Sequence, residues 1–113
     1  MESTAFKKIS AEQFVERIVQ SKGNSLVKFT SAWNGSARLL RNTLEDLALQ
    51  YSGKVNFFLV DTEAEQALAS AYRIEATPTL LFFKKGILAD RLSGLAQKAI
   101  ISNKIDQLVL SNQ

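Results

Sequence analysis

The chemistry open to this chain is narrow. Its 113 residues contain no cysteine and no histidine. Thiol redox chemistry, disulfides, thiolate or imidazole metal sites and histidine-based triads are therefore excluded. Carboxylates, lysine, tyrosine, hydroxyls and backbone groups remain. Three groups of residues could do chemistry: Lys28, the turn Asn34-Gly35-Ser36-Ala37, and the alternating acids Asp61, Glu63 and Glu65. A Ser36 nucleophile would need a base, and only Lys28 could serve. Asn34 and Ser36 have good N-cap chemistry, so a stable helix start is the simpler role. The backbone N–H groups of such a turn could also hold an anion or a peptide carboxylate. The three acids could suggest a hard-metal site. Capping by Thr62 and Glu65 explains them more simply, and no metal or cofactor is expected.

The elements that would position these residues follow from the sequence pattern. Val27 to Leu40 reads VKFTSAWNGSARLL. It starts as a β-branched and aromatic strand, breaks at Asn34-Gly35-Ser36, and becomes a helix through Leu40, Leu44, Leu47, Ala48 and Tyr51. A strand that feeds a turn and then a helix gathers unpaired N–H groups at one surface point. Before it, Thr4 to Lys7 suits a short edge strand. Ser10-Ala11-Glu12-Gln13 forms a capping-box pattern, with Ile9 and Phe14 as a hydrophobic staple. The helix it opens would present Phe14, Val15, Ile18 and Val19 on one face and stop near Gly23.

After the central unit, Val55 to Val60 is an apolar run suited to a strand covered on both faces. Thr62-Glu63-Ala64-Glu65 is a second capping-box pattern, opening a short helix through Tyr72. Leu80 to Phe83 is a strand, and Lys85-Gly86 makes a tight hairpin into Ile87 to Leu92. A last helix, roughly Lys98 to Leu110, would bury Ile101, Ile105, Leu108 and Val109. The order β, α, β, α, β, α, β, β, α implies parallel crossovers first and a hairpin last. The expectation is one α/β domain over residues 1–113, with a mixed central sheet of about five strands and helices on both faces. The Phe57-Phe58 and Phe82-Phe83 pairs should fill the core on both sides of that sheet.

Composition bounds the partners. Net charge is +3 with a pI near 9.3, but the basic residues (Lys7, Lys8, Arg38, Arg41, Lys84, Lys85) are scattered. A nucleic-acid binder would more often show a basic stripe with interleaved aromatics, so none is expected. The longest apolar runs are far too short to cross a bilayer. The N-terminal stretch lacks the apolar core of a signal peptide, so a cytoplasmic location is expected.

That order, with two local stretches, resembles the thioredoxin family. LVKFTSAWNGSARLL aligns with the family's strand–Trp-Cys-Gly-Pro-Cys–helix segment. YRIEATPTLLFFKKG aligns with its cis-proline segment and the hairpin that follows. The resemblance covers about residues 5 to 110 and implies the thioredoxin fold. The departures fall on the redox positions. Asn34 and Ala37 stand where the two cysteines would be, and Ser36 replaces the proline between them. Lys28 stands at the family's buried aspartate, and Asn42 stands where a proline usually kinks the second helix. Thiol–disulfide exchange needs a thiolate, so disulfide oxidoreductase activity is rejected.

The resemblance further implies that Trp33, Ile74, Thr77, Pro78 and Leu95 cluster around the turn. The Pro78 bond would be cis, and Thr77 would offer its backbone to an extended peptide. Strand-like docking of that kind survives the loss of cysteines, because it uses backbone groups and a shallow apolar patch. The leading expectation is thus a redox-inactive protein-binding or chaperone-type module whose partner is a protein or extended peptide segment. A structural homodimer and a non-thiol enzyme using Lys28 or Ser36 are the alternatives. Lys28 itself should snorkel along its aliphatic stem, with a lowered pKa if it is buried without a carboxylate.

Overall fold

The computed structural model describes residues 6–31 and 37–110, without the side chains of 37–39. The elements are β1 (Lys7–Lys8), α1 (Ala11–Phe14) running on as a π-helical turn (Val15–Val19), β2 (Asn24–Thr30), α2 (Ala37–Gln50), β3 (Asn56–Asp61), α3 (Gln66–Ala71), β4 (Thr79–Lys84), β5 (Ile87–Ser93) and α4 (Lys98–Leu110). The strands form one mixed sheet in the order β1-β3-β2-β4-β5. β1, β3 and β2 are parallel, and β4 and β5 add on antiparallel. β2 is therefore the middle strand, and its C-terminal end leads directly toward α2.

The period-2 alternation of the strands sorts the core into two layers. Leu26, Phe57, Leu80 and Phe82 face α2 and α4, where they meet Leu40, Leu44, Leu47, Ile101 and Ile105. Val27, Phe29, Phe58, Val60, Leu81 and Phe83 face the other way, onto Phe14 and Ile18 of α1 and Ala69 of α3. Each Phe-Phe pair thus feeds both layers. α4 buries Ile101, Ile105 and Leu108, while Val109 is half-buried against the same layer.

Two helix starts with the same sequence signature behave differently. At Ser10 the capping box forms: Gln13 N–H donates to Ser10 Oγ (3.2 Å), and Ser10 N–H donates to Gln13 Oε1 (3.0 Å). Ile9 and Phe14 are both buried in the same layer. At Thr62 no box forms, and α3 begins only at Gln66. Asp61 Oδ1 takes the N–H groups of Glu63 (2.9 Å) and Ala64 (3.4 Å) instead. Thr62 Oγ1 turns to the Thr30 carbonyl (3.3 Å), and Glu65 Oε1 reaches across to accept from Ala11 N–H (3.1 Å). The expected second box is overturned because a nearer carboxylate captures the turn, which leaves Glu65 to cap the neighbouring helix.

The face expected for α1 is also only half right. Phe14 and Ile18 are buried, but Val15 and Val19 are 45% and 42% exposed. Gln20 N–H bonds to Val15 O (2.9 Å), an i→i+5 step that widens the last turn. A wider turn rotates successive residues less than an α-helix does, so the i, i+4 spacing no longer keeps one face. The β4–β5 hairpin tip packs there. Lys85 (φ 52°) and Gly86 (φ 83°) both adopt the left-handed geometry of a two-residue primed turn. A Cβ on Gly86 would lie 2.1 Å from Val19 O, so glycine is required by approach as well as by φ. The edge strand expected over Thr4 to Lys7 is seen as Lys7–Lys8, with Thr4 and Ala5 outside the described residues.

Candidate functional site

The loop from α3 to β4 carries Ile74, Thr77 and Pro78 and enters β4 beside the C-terminal end of β2, where Thr79 is opposite Phe29. Of the other expected site residues, Trp33, Asn34, Gly35 and Ser36 lie outside the described residues, and Ala37 opens α2.

The α3–β4 loop is shaped by how α3 stops. Ile74 N–H bonds to Ala69 O (2.9 Å) and Arg73 N–H to Ser70 O (3.0 Å). Arg73 takes a positive φ of 54°. This is a Schellman stop with a non-glycine residue at its left-handed position. Ile74 supplies the apolar residue after it and packs, half-buried, on the α1/α3 layer. The guanidinium of Arg91, on β5, donates to Tyr72 O (2.7 Å) and to Arg73 O (3.3 Å), tying the end of α3 to the outer strand. No local pattern announces that role for Arg91, because its partners are 18 and 19 residues away.

The Thr77–Pro78 peptide bond is cis. Thr77 is half-buried and Pro78 is buried. Thr79 Oγ1 donates to Ala76 O (2.6 Å), closing the loop on itself. Gly94 N–H donates to Pro78 O (2.7 Å). That bond brings Gly94 against the proline, and Leu95, 49% exposed, follows Gly94 in the chain. The structure thus joins Gly94 to the loop of Thr77 and Pro78, with Ile74 at the start of the same loop.

Lys28 lies in β2, between Val27 and Phe29 of the aromatic layer, and points to the α2/α4 side. It is 9% exposed. Its Nζ stands 5.8 Å from the centroid of the Phe6 ring. Among the described residues no hydrogen bond or ion pair holds that Nζ. Burial lowers its pKa below the ordinary 10.5, and the Arg41 charge lowers it further, while Glu45 partly opposes them. Glu45 is itself engaged by Arg41 Nε at 3.1 Å.

The alternating acids Asp61, Glu63 and Glu65 are each engaged within the fold. Asp61 and Glu65 accept the N–H groups described above, and Glu63 Oε2 accepts from Ser31 Oγ (3.0 Å). Among the described residues no cluster of acids is placed to hold a metal ion. Nor is any described helix long and apolar enough to cross a membrane.

Comparison with known proteins agrees with this architecture. The thioredoxin family model matches residues 5–107. The chain is 32% identical over 94 residues to "Thioredoxin 1" of Synechococcus elongatus, covering 83% of this chain and 88% of that protein. It is 29% identical over 104 residues to "Thioredoxin 1" of Nostoc, covering 92% and 97%. It is 32% identical over 94 residues to "Thioredoxin M-type, chloroplastic" of Pisum sativum, covering 83% of this chain but 55% of that protein. The chain thus spans about half the length of the chloroplast relative. With the sheet order, the cis proline ahead of β4 and the matched span all in agreement, the chain belongs to the thioredoxin family, as a member with no cysteine at either position of the family's dithiol motif.

Proposed function

We propose that this domain is a redox-inactive, chaperone-type module that binds an extended protein segment on the surface around Trp33, Asn34–Ala37, Thr77 and Pro78. What supports this reading most is the Gly94 N–H to Pro78 O bond, which holds the residue before a half-exposed leucine against the cis-proline loop. A segment laid along that loop would use backbone hydrogen bonds for affinity and the Leu95–Ile74 side for apolar contact. With no thiolate in the chain, such binding would end in release of the segment unchanged. The partner in this reading is a protein, with nucleic acid and membrane surfaces excluded. The cytoplasm is the proposed location, although some plant relatives carry names that place them in the chloroplast.

The test compares the wild-type chain with Leu95→Asp and Trp33→Ala as baits in native lysate. Leu95 is half-exposed, so its substitution leaves the core intact. The expected result is a partner retained by wild type and reduced about tenfold by either change, the order of one lost anchor residue. A partner held equally by all three baits removes the groove from the account. Concentration-dependent dimerisation abolished by the same two substitutions would replace the peptide partner with a second copy of this chain.

A further inference from the structure

A cavity of about 690 Å³ opens between α3 and the loop that leads to Pro78. Its wall runs from Thr62 past Gln66 and Ser70 to Arg73, Ile74 and Glu75. Ile74 also belongs to the surface proposed above, so the cavity continues that surface along the end of α3. Along residues 73–75 burial alternates. Arg73 and Glu75 are exposed, and Ile74 between them is half-buried against the α1/α3 layer. Opposite charges thus flank one anchored apolar residue. Among the described residues neither charged side chain has a hydrogen-bond or ion-pair partner, and the two do not pair with each other.

Arg73 stands there against its backbone preference. Its φ of 54° is geometry that glycine adopts freely and arginine does not. Left-handed residues other than glycine persist where their surroundings hold them, and they gather at ligand clamps. Here the Arg91 guanidinium holds the carbonyls of Tyr72 and Arg73. The wall is therefore set before anything binds, which lowers the cost of ordering it.

We infer that this cavity reads charge: the extended segment carries an acidic residue for Arg73 and, two positions away, a basic residue for Glu75. The inference rests on the peptide-docking reading above and names the chemistry of the segment that the surface takes. In an extended segment residues i and i+2 share a face, roughly 6.6 Å apart, which suits two charges separated by one inward residue. The Arg73 fork fits a carboxylate with paired hydrogen bonds. A segment with the two charges reversed would set like against like at both positions. Both pairs lie at the surface, so they supply selectivity, while backbone bonds and apolar contact supply affinity.

The test uses two fluorescein-labelled synthetic peptides of one serine-and-valine framework. They differ only at their centre, in the order aspartate–valine–lysine or lysine–valine–aspartate. Each is titrated with the whole chain by fluorescence anisotropy at low ionic strength. One order should bind about three- to tenfold more tightly, the scale of two exposed ion pairs, and added sodium chloride should narrow the gap. The exchange variant Arg73→Glu, Glu75→Arg keeps the net charge and should invert the preference. Arg73→Gly, which suits the left-handed backbone, should keep the fold and reduce the preference. Equal binding of the two orders, or a preference that the exchange variant leaves in place, overturns the charge inference and leaves the docking surface standing. If neither peptide binds, the docking surface falls and this inference with it. Should the exchange variant fail to fold, an unaltered preference in Arg73→Gly overturns the inference equally.

Discussion

The two faces of the sheet are filled by different means. On the α1/α3 face, aromatic rings lock together: Phe14 meets Tyr72 at 5.4 Å, Phe83 at 5.5 Å and Phe29 at 6.3 Å between centroids. Tyr72 in turn meets Phe83 edge-on at 5.6 Å. Edge-to-face pairs of this kind depend on shape and add to the area they bury. The α2/α4 face is mainly aliphatic, built on Leu26, Leu44, Leu47, Leu80, Ile101 and Ile105. Polar groups reach into its margin. Tyr51 Oη meets Asp106 and Ser102, Lys84 Nζ donates to Leu108 O (2.7 Å), and Lys28 lies under α2. One face therefore holds the fold by fit, while the other can carry charge near the core.

The largest effect that tests this contrast is Phe14→Ala. It should cost about 3–5 kcal/mol, because it removes the ring that three others pack against. Leu44→Ala on the opposite face should cost about 2–5 kcal/mol and fall toward the low end, since aliphatic neighbours can close partly over the gap. Urea denaturation of both variants gives the comparison. A smaller loss for Phe14→Ala than for Leu44→Ala would reverse the assignment of which face depends more on fit.

Lys28→Met gives a gain instead of a loss. At neutral pH it should stabilise by about 1–3 kcal/mol, because burial opposes the charged form of Lys28 and a methionine of similar length carries no charge. Its pH dependence identifies the cause. Burial, then the Arg41 charge, depress the folded-state pKa of Lys28 below 10.5. Between the depressed value and 10.5 the unfolded chain binds more protons, so wild-type stability rises with pH through that window. Tyr51 and Tyr72 act in the opposite sense. Burial raises both above 10.0, joined for Tyr51 by its hydrogen bond to Asp106. Their contribution is complete below 10.0 and is lost as pH climbs through their folded values. Wild type should therefore gain stability on the alkaline side before losing it. Lys28→Met should show only the loss, in thermal melts taken from neutral to strongly alkaline pH. A rise that persists in Lys28→Met would place the titrating group elsewhere.

The sequence carried the two-sidedness of the core, because alternation in LVKFT, NFFLVD and TLLFFK is a local property that each strand keeps. It also marked Lys28 as out of pattern, since a lysine sits in the row of Leu26. Its surroundings were not legible. Phe6 comes from the segment before β1, and Arg41 and Glu45 come from α2, so only the tertiary fold brings them to Lys28. The exposure of Val15 and Val19 was hidden for a similar reason. Their i, i+4 spacing suits an α-helix, whereas the π turn occurs where the distant Gly86 hairpin tip packs on Val19 O. Among the site residues, Ile74, Thr77 and Pro78 were readable as one loop. The Arg91 clamp behind that loop depends on strand pairing and left no local mark.

The smallest effects lie within the α1/α3 face, where one signature led to two outcomes. Ser10→Ala should cost about 1 kcal/mol, since Ser10 Oγ satisfies the Gln13 N–H at the start of α1. Glu65→Ala should cost a comparable amount, about 0.5–1.5 kcal/mol, by releasing the Ala11 N–H. Thr62→Ala should stay within about 0.5 kcal/mol, because its hydroxyl makes a single long bond to Thr30 O and caps nothing. If the local pattern were decisive, Thr62 and Ser10 would cost the same and Glu65 would act through α3 alone. The Ser10→Ala, Glu65→Ala double variant separates the two accounts. A combined loss different from the sum of the singles means that one helix start is held by residues from both helices, so that α1 and α3 enter the aromatic face as a unit.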